Sequence, residues 1–305
     1  MSKKLVSLVL VLLMVFCAAV TLAEGSEIVL TDMAGREITL AEPATRIVVT
    51  LPAECEILCA LGCEDTIVGR GKNVDYPASI KDVPVVQSGA DMNSEEIMAL
   101  EAQVVLVNTM SLNDEQIKLL EDNGVTVVES STSDFASVYA SITMIGKLMG
   151  KEEEAQAMVD DMLATFDDIR AKSEGFNKSV YFEISPLQWG LWSCGSSSYM
   201  TELAEICGLK NIFDDQEDAW MMVSEEQVIE RNPDFIVMIS GMGAEGVEEI
   251  LARDGWGDIN AVKNQKVYDD AISDIARPGP RLKDAAIKLF DFIHDIAEEE
   301  EVPAA

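Results

Sequence analysis

Short apolar runs rich in Val and Ile alternate with amphipathic stretches along most of the chain. Residues 46–50, 66–68, 104–107 and 125–128 each read as a buried strand. Between them, residues 53–61, 94–100 and 114–122 carry helical periodicity, and 134–150 predicts a further helix. That alternation predicts βα units around a mainly parallel sheet. A longer pattern follows over 151–173. Ala155, Met158, Val159, Met162, Leu163, Phe166 and Ile169 share one side of a helix of about six turns, with Glu152, Asp160, Asp161, Asp167 and Asp168 mostly opposite. Gly175 and Asn177 end it. Strand-like runs then return at 178–183, 235–239 and 266–268, among helical stretches at 199–207, 225–231, 246–251 and 281–297. The expected fold class is α/β: two lobes with mainly parallel sheets joined by a single long α-helix.

A weak internal repeat fits two lobes. Residues 93–107 can be laid over 224–238: an N-cap residue, Glu or Gln three positions later, a short helix, a polar turn and a strand. The repeat pairs Glu95 with Glu226, both at the second helical position. Acids favour that position through the helix dipole alone, so the pairing by itself leaves a role open.

The N-terminus changes the compartment. Ser2-Lys3-Lys4 precede an apolar run from Leu5 to Val20 that closes on Thr21-Leu22-Ala23, the order of a secretory signal peptide. An uncleaved anchor is the alternative, although the run is short for a membrane span. Cys17 follows Met14-Val15-Phe16, which lacks the Leu and small residue of a lipidation site. The expected division is a signal peptide over 1–23, an N-terminal lobe over 24–150, a linking helix over 151–174, a C-terminal lobe over 175–297 and a frayed acidic tail over 298–305.

Composition narrows the function. The 305 residues carry 22 Lys+Arg against 55 Asp+Glu, a net charge of −33. Nucleic-acid binding needs the opposite sign, as does docking on anionic lipid. A hydrophobic fraction of 48% supplies a packed core rather than a disordered acidic chain. The one His, His294, lies in the terminal helix, which removes multi-His metal sites and most His-based catalysis. Cys55, Cys59 and Cys63 form a stripe at helical spacing, read first as small packing residues and otherwise as a soft-metal site. With Cys194 and Cys207 they make an odd set that is no disulfide framework. Gly195-Ser196-Ser197-Ser198 is not a nucleophile elbow. It reads as a helix cap or as an anion-binding turn.

Several ordered segments carry a family likeness. They include Leu30-Thr-Asp-Met-Ala-Gly-Arg-Glu-Ile-Thr-Leu40, Pro43-Ala-Thr-Arg-Ile-Val-Val49, Glu56-Ile-Leu-Cys-Ala-Leu-Gly62 and Asp75-Tyr-Pro77. Further on come Glu202-Leu-Ala-Glu-Ile-Cys-Gly-Leu-Lys-Asn-Ile-Phe213, Val223 to Asp234, and Arg277-Pro-Gly-Pro-Arg281. In this order and spacing the chain resembles the substrate-binding proteins of ABC importers for vitamin B12, haem and ferric siderophores. The resemblance implies a ligand cleft between the lobes, an extracytoplasmic location at the periplasm or cell surface, and a monomer that delivers a metal chelate to a permease dimer. It implies neither a catalytic residue nor a resident cofactor or metal. It also implies that Glu95 and Glu226 pair with Arg residues of the transporter.

Cleft candidates are then the loops at strand ends: 51–54, 70–76 and 87–92 in the first lobe, and 186–199, 219–222, 240–243 and 274–277 in the second. The expected ligand contacts in the first lobe are Cys55, Arg70 and Tyr76. In the second lobe they are Trp189, Trp192, Tyr199, Trp220, Met221 and Arg277. Three of the four Trp fall in second-lobe loops, a wall suited to a large, flat, partly apolar chelate. Arg70, Lys72 and Arg277 are the cations near enough to meet an anionic one. A secreted carboxylate-dependent hydrolase and a non-catalytic adhesion or scaffold protein stand as the alternatives.

Overall fold

The computed structural model describes residues 27–89, 92–108, 114–185, 187–239, 246–270 and 274–301, with side chains up to 294 in the last stretch. The expected signal peptide, Cys17, the 240–243 segment and the end of the acidic tail lie outside the described residues.

The chain enters as an antiparallel hairpin, β1 (Ile28–Thr31) with β2 (Glu37–Leu40). Asp32 shapes the turn: its carboxylate accepts the backbone N–H of Ala34 and Arg36 and the guanidinium of Arg36. The first parallel sheet has the order β4 (Ile67–Arg70), β3 (Ile47–Val49), β5 (Val104–Asn108), β6 (Thr126–Ser130). Its inner strands β3 and β5 are buried almost throughout, as a parallel sheet covered on both faces requires. Around it stand α1 (Pro52–Ala60), α2 (Ser94–Ala99), α3 (Asp114–Asp122) and α4 (Phe135–Leu148).

The long helix α5 spans Glu152–Lys172. It buries Ala155, Val159, Met162, Phe166 and Ile169, a stripe that steps by three and four residues. Leu163, expected on this face, is 40% exposed. The buried stripe is narrower than the sequence implied. Gly146 makes the packing of α4 on this helix possible, since a Cβ there would meet the Ala155 side chain at 2.3 Å.

The second parallel sheet has the order β12 (Val267–Asp269), β11 (Phe235–Met238), β7 (Lys178–Glu183), β9 (Leu209–Asn211). Beside it lies a hairpin of β8 (Leu191–Ser193) and β10 (Met221–Val223). Its helices are α6 (Tyr199–Ile206), α7 (Glu225–Arg231), α8 (Val247–Ala252), α9 (Asn260–Lys263) and α10 (Leu282–Glu301). Helix α10 runs on through the acidic stretch 298–301, which was expected to fray. Neither hairpin nor the four-residue α9 was expected, since pieces of three or four residues carry too little periodicity.

One apolar cluster reaches from α1 and the first sheet through α4 and α5 to α6, α10 and the second sheet. Two smaller clusters fill the far face of each sheet. Phe166 sits in the shared cluster with its ring stacked on Phe135 at 5.1 Å. The free thiols of Cys55 and Cys63 are buried and that of Cys59 is half-buried. Among the described residues no cluster of three or more His, Cys, Asp or Glu is placed to hold a metal. None of their helices is long and apolar enough to cross a membrane. Phe166→Ala should lower stability by about 3–5 kcal/mol in urea unfolding. A change below about 0.5 kcal/mol would remove Phe166 from the shared core.

Candidate ligand-binding cleft

In both sheets the chain reverses its direction of growth between two central strands, β3 and β5 in one and β7 and β11 in the other. Ligands bind at such switch points, outside the carboxyl ends of the strands. A cavity of about 670 Å³ lies there. From the first lobe it is lined by Asn108, the last residue of β5, and by Ser131, Thr132 and Ser133 just after β6. From the second lobe come Ile184 and Ser185 after β7, then Trp189, Trp192, Tyr199 and Trp220. Ala276 and Pro278 complete the rim. A neutral hydrogen-bonding wall thus faces an aromatic one, and among the described lining residues none is charged.

The aromatic wall is built from local chemistry. Ser185 donates its hydroxyl to the Gly190 carbonyl at 2.7 Å and accepts the Trp192 N–H at 3.2 Å, closing the turn that carries Trp189. Gly190 takes φ +83° there, open to glycine at little cost. Trp192 stands opposite Met222 across the β8–β10 hairpin. Trp189, Trp192 and Trp220 are 66%, 38% and 43% exposed, so each has ring surface to offer. Tyr199 is buried and braces Trp220 edge-on at 5.8 Å. Its hydroxyl donates to the Ile275 carbonyl at 3.0 Å, and its N–H donates to Ser133 of the opposite wall at 3.1 Å.

Charged groups lie beneath the walls instead of in them. Under the aromatic wall Glu183, wholly buried at the end of β7, takes both donors of Arg253 at 2.8 Å. Burial pushes the Glu183 carboxyl up, and the Arg253 guanidinium opposes that. Arg253 also lies 4.2 Å over the Trp256 ring, whose N–H donates to Glu225 at 3.1 Å. Under the other wall Glu54 is buried, bonded to the Ser130 hydroxyl, and raised in pKa first by burial.

Of the nine expected ligand contacts, Trp189, Trp192, Tyr199 and Trp220 line the cavity. The other five are not among its described lining residues. Cys55 is fully buried, its thiol donating to the Tyr76 carbonyl at 3.7 Å. The Arg70 guanidinium is spent on the carbonyls of Val83, Val74 and Lys81. Tyr76 carries the Arg281 guanidinium 4.0 Å above its ring. Met221 packs half-buried against the outer core of the second lobe. Arg277 pairs with Asp75 at 2.7 Å. The first-lobe wall also differs from expectation, because the end of β5 at Asn108 and the loop after β6 reach the cleft. The polar run Ser130-Ser-Thr-Ser-Asp134 directly after a strand was the available signal. The 195–198 turn resolves as a cap: Gly195 and Ser196 donate to the carbonyls of Asp218 and Gln216, and Ser198 caps α6.

Glu95 and Glu226 are both exposed at the second position of a short helix. Ser224 and Gln227 form a full capping box before α7. At α2 only half forms: Asn93 caps, while the Glu96 carboxylate accepts the Gln87 N–H at 2.9 Å. The Glu226 carboxyl is held below its usual range by its own backbone N–H and by Ser224.

The profile of the periplasmic binding protein family matches residues 47–271. The chain belongs to that family. Its relatives include an uncharacterized ABC transporter substrate-binding lipoprotein, YvrC, of Bacillus subtilis (strain 168). That protein is 34% identical over 274 residues, covering 88% of this chain and 85% of its own. A vitamin B12-binding protein of Salmonella choleraesuis (strain SC-B67) is 25% identical over 256 residues, covering 83% and 91%. The fold matches the apo form of the periplasmic heme-binding protein RhuT from Roseiflexus sp. RS-1. The TM-score is 0.74 at 19% identity, with 83% and 99% covered.

The rim of this binding protein carries a pH dependence. Asp270 is 1% exposed and accepts the N–H groups of Asp274 and Ile275. Burial pushes its carboxyl up to about 6, against those hydrogen bonds. Because the folded pKa exceeds the unfolded one, stability present below the unfolded pKa is lost as pH rises through about 6. Two pKa units correspond to roughly 2–3 kcal/mol. Urea unfolding at pH 4 and pH 7.5 should show a loss of stability in the native protein that is smaller by about that amount in Asp270→Asn. An equal pH slope in both would overturn it.

Proposed function

We propose that this protein is the extracytoplasmic receptor of an ABC importer and that its cleft captures an uncharged or cationic metal chelate of the corrinoid type. The observation that carries the ligand class is the pairing of a π-rich wall with a hydroxyl and amide wall, with no charged side chain among the described lining residues. A flat macrocycle buries its face on indoles, and peripheral amides meet Ser, Thr and Asn groups. An anionic chelate asks for guanidinium or ammonium groups, and Arg70, Arg277 and Arg281 are already engaged by the protein itself. The neighbouring stretches 109–113, 240–245 and 271–273 contain no Lys or Arg. The Salmonella relative, a vitamin B12-binding protein, agrees with this reading.

In the same reading residues 1–23 direct export, 24–150 and 175–297 are the lobes, and 151–174 links them. The protein is a non-catalytic monomer without a resident cofactor. Glu95 and Glu226 present one carboxylate per lobe to arginines of a permease dimer, where charge-assisted pairs fix orientation.

Titration of Trp fluorescence with cobalamin, cobinamide, haem and a ferric siderophore panel tests the ligand class. Saturable quenching by the corrinoids is expected, and tight binding of haem or an anionic siderophore without corrinoid binding would overturn it. Trp192→Ala should weaken corrinoid binding by about 1–3 kcal/mol, and unchanged affinity would place that ring outside the contact. The double variant Glu95→Ala/Glu226→Ala should abolish uptake with ligand affinity intact. Normal uptake in it would end the docking role.

A further inference from the structure

Ala276 and Pro278 line the cleft and follow β12, so by sequence they belong to the second lobe. The side chains around them cross to the first. Arg281 donates through two nitrogens to the Glu56 carboxylate of α1, at 2.8 and 2.6 Å. The same guanidinium covers the Tyr76 ring at 4.0 Å. Arg277, between the two lining residues, pairs with Asp75 at 2.7 Å and lies 4.0 Å from Glu56. Gly279 runs so close to α1 that a Cβ on it would touch Ala53 at 3.6 Å.

Charges alternate along this seam as Asp75, Arg277, Glu56, Arg281, Asp274 and Lys288. The Glu56 and Asp274 side chains are each 2% exposed, and each has two cationic neighbours. A buried carboxylate so satisfied holds its geometry, whereas loss of one partner leaves an uncompensated charge. The second lobe holds the same segment through the Tyr199 hydroxyl on the Ile275 carbonyl, through Asp270 on the N–H groups of Asp274 and Ile275, and through Lys288 of α10 on Asp274.

We propose that segment 274–281 pins the second lobe to the first at the edge of the cleft, with Arg281 and Glu56 as the positioning residues that set the spacing between the aromatic and hydroxyl walls. The ligand part of this inference rests on the cleft being the binding site proposed above. The attachment part does not.

Two measurements separate them. Glu56→Gln, a first-lobe substitution, should raise amide hydrogen exchange across 275–281 by about tenfold, with the β7 and β11 amides unchanged. Unchanged exchange in 275–281 overturns the attachment. Against cobalamin, Glu56→Gln and Arg281→Gln should each lose affinity about tenfold or more, and the double variant should be no worse than the weaker single one. Arg281→Lys, which keeps the charge and loses the two-nitrogen contact, should fall between and supplies the test if Arg281→Gln does not fold. Additive losses, or native affinity in all variants alongside raised exchange, overturn the positioning role. Failure of the native protein to bind any chelate overturns the ligand reading and leaves the exchange result standing.

Discussion

Burial of α5 against α4 is the packing on which the rest depends. Its stripe from Ala155 to Ile169 joins the apolar cluster that covers one face of both sheets. Each sheet alone would expose that face to water. Joined, they share one core, and their carboxyl ends come to a common opening. Gly146 permits the close approach by having no side chain at the crossing. The cleft therefore inherits its position from packing far beneath it, and its own residues are left free to be chosen for ligand chemistry.

That freedom shows in how charge is distributed. The chain has 22 basic side chains against 55 acidic ones, and the arginines near the cleft are spent on the protein itself. Arg70 closes a loop on three carbonyls, Arg277 and Arg281 stitch the seam, and Arg253 neutralises Glu183 under the aromatic wall. The buried carboxylates Glu183, Glu56 and Asp274 are each paired with a cation, as the cost of an isolated charge demands. What remains in the cleft is neutral: indoles, hydroxyls and an amide. An anion entering it would meet no full positive charge among the described lining residues.

The sheets and the long helix were legible because their signals are periodic and long. The Trp-rich loops were legible because indoles outside the core need a reason to be there. The first-lobe wall was not, because Ser131, Thr132 and Ser133 look like any polar turn until the strand order places β6 beside β5, one strand from the switch point. That Arg70 and Arg277 have partners within the protein was not legible, because sequence does not show which carbonyl or carboxylate a guanidinium has already met. Cys55 was misplaced for a related reason: at the start of a helix next to the cleft, the direction of its side chain decides everything, and it points into the core. The half-formed capping box at Glu96 belongs to the same class, its carboxylate having been drawn away by Gln87.

The aromatic wall also bears on how the protein behaves among its own copies. Trp189 at 66% and Met222 at 63% exposure stand with the partly exposed Trp192 and Trp220 on the second lobe. Apolar surface gathered in this way promotes self-association. Like charge opposes it, and a net −33 keeps neighbouring molecules apart. Salt shortens the reach of that repulsion to about 10 Å or less. The acidic exterior thus lets a sticky cleft stay open in solution, and the ligand-free protein should be the form most prone to aggregate as ionic strength rises.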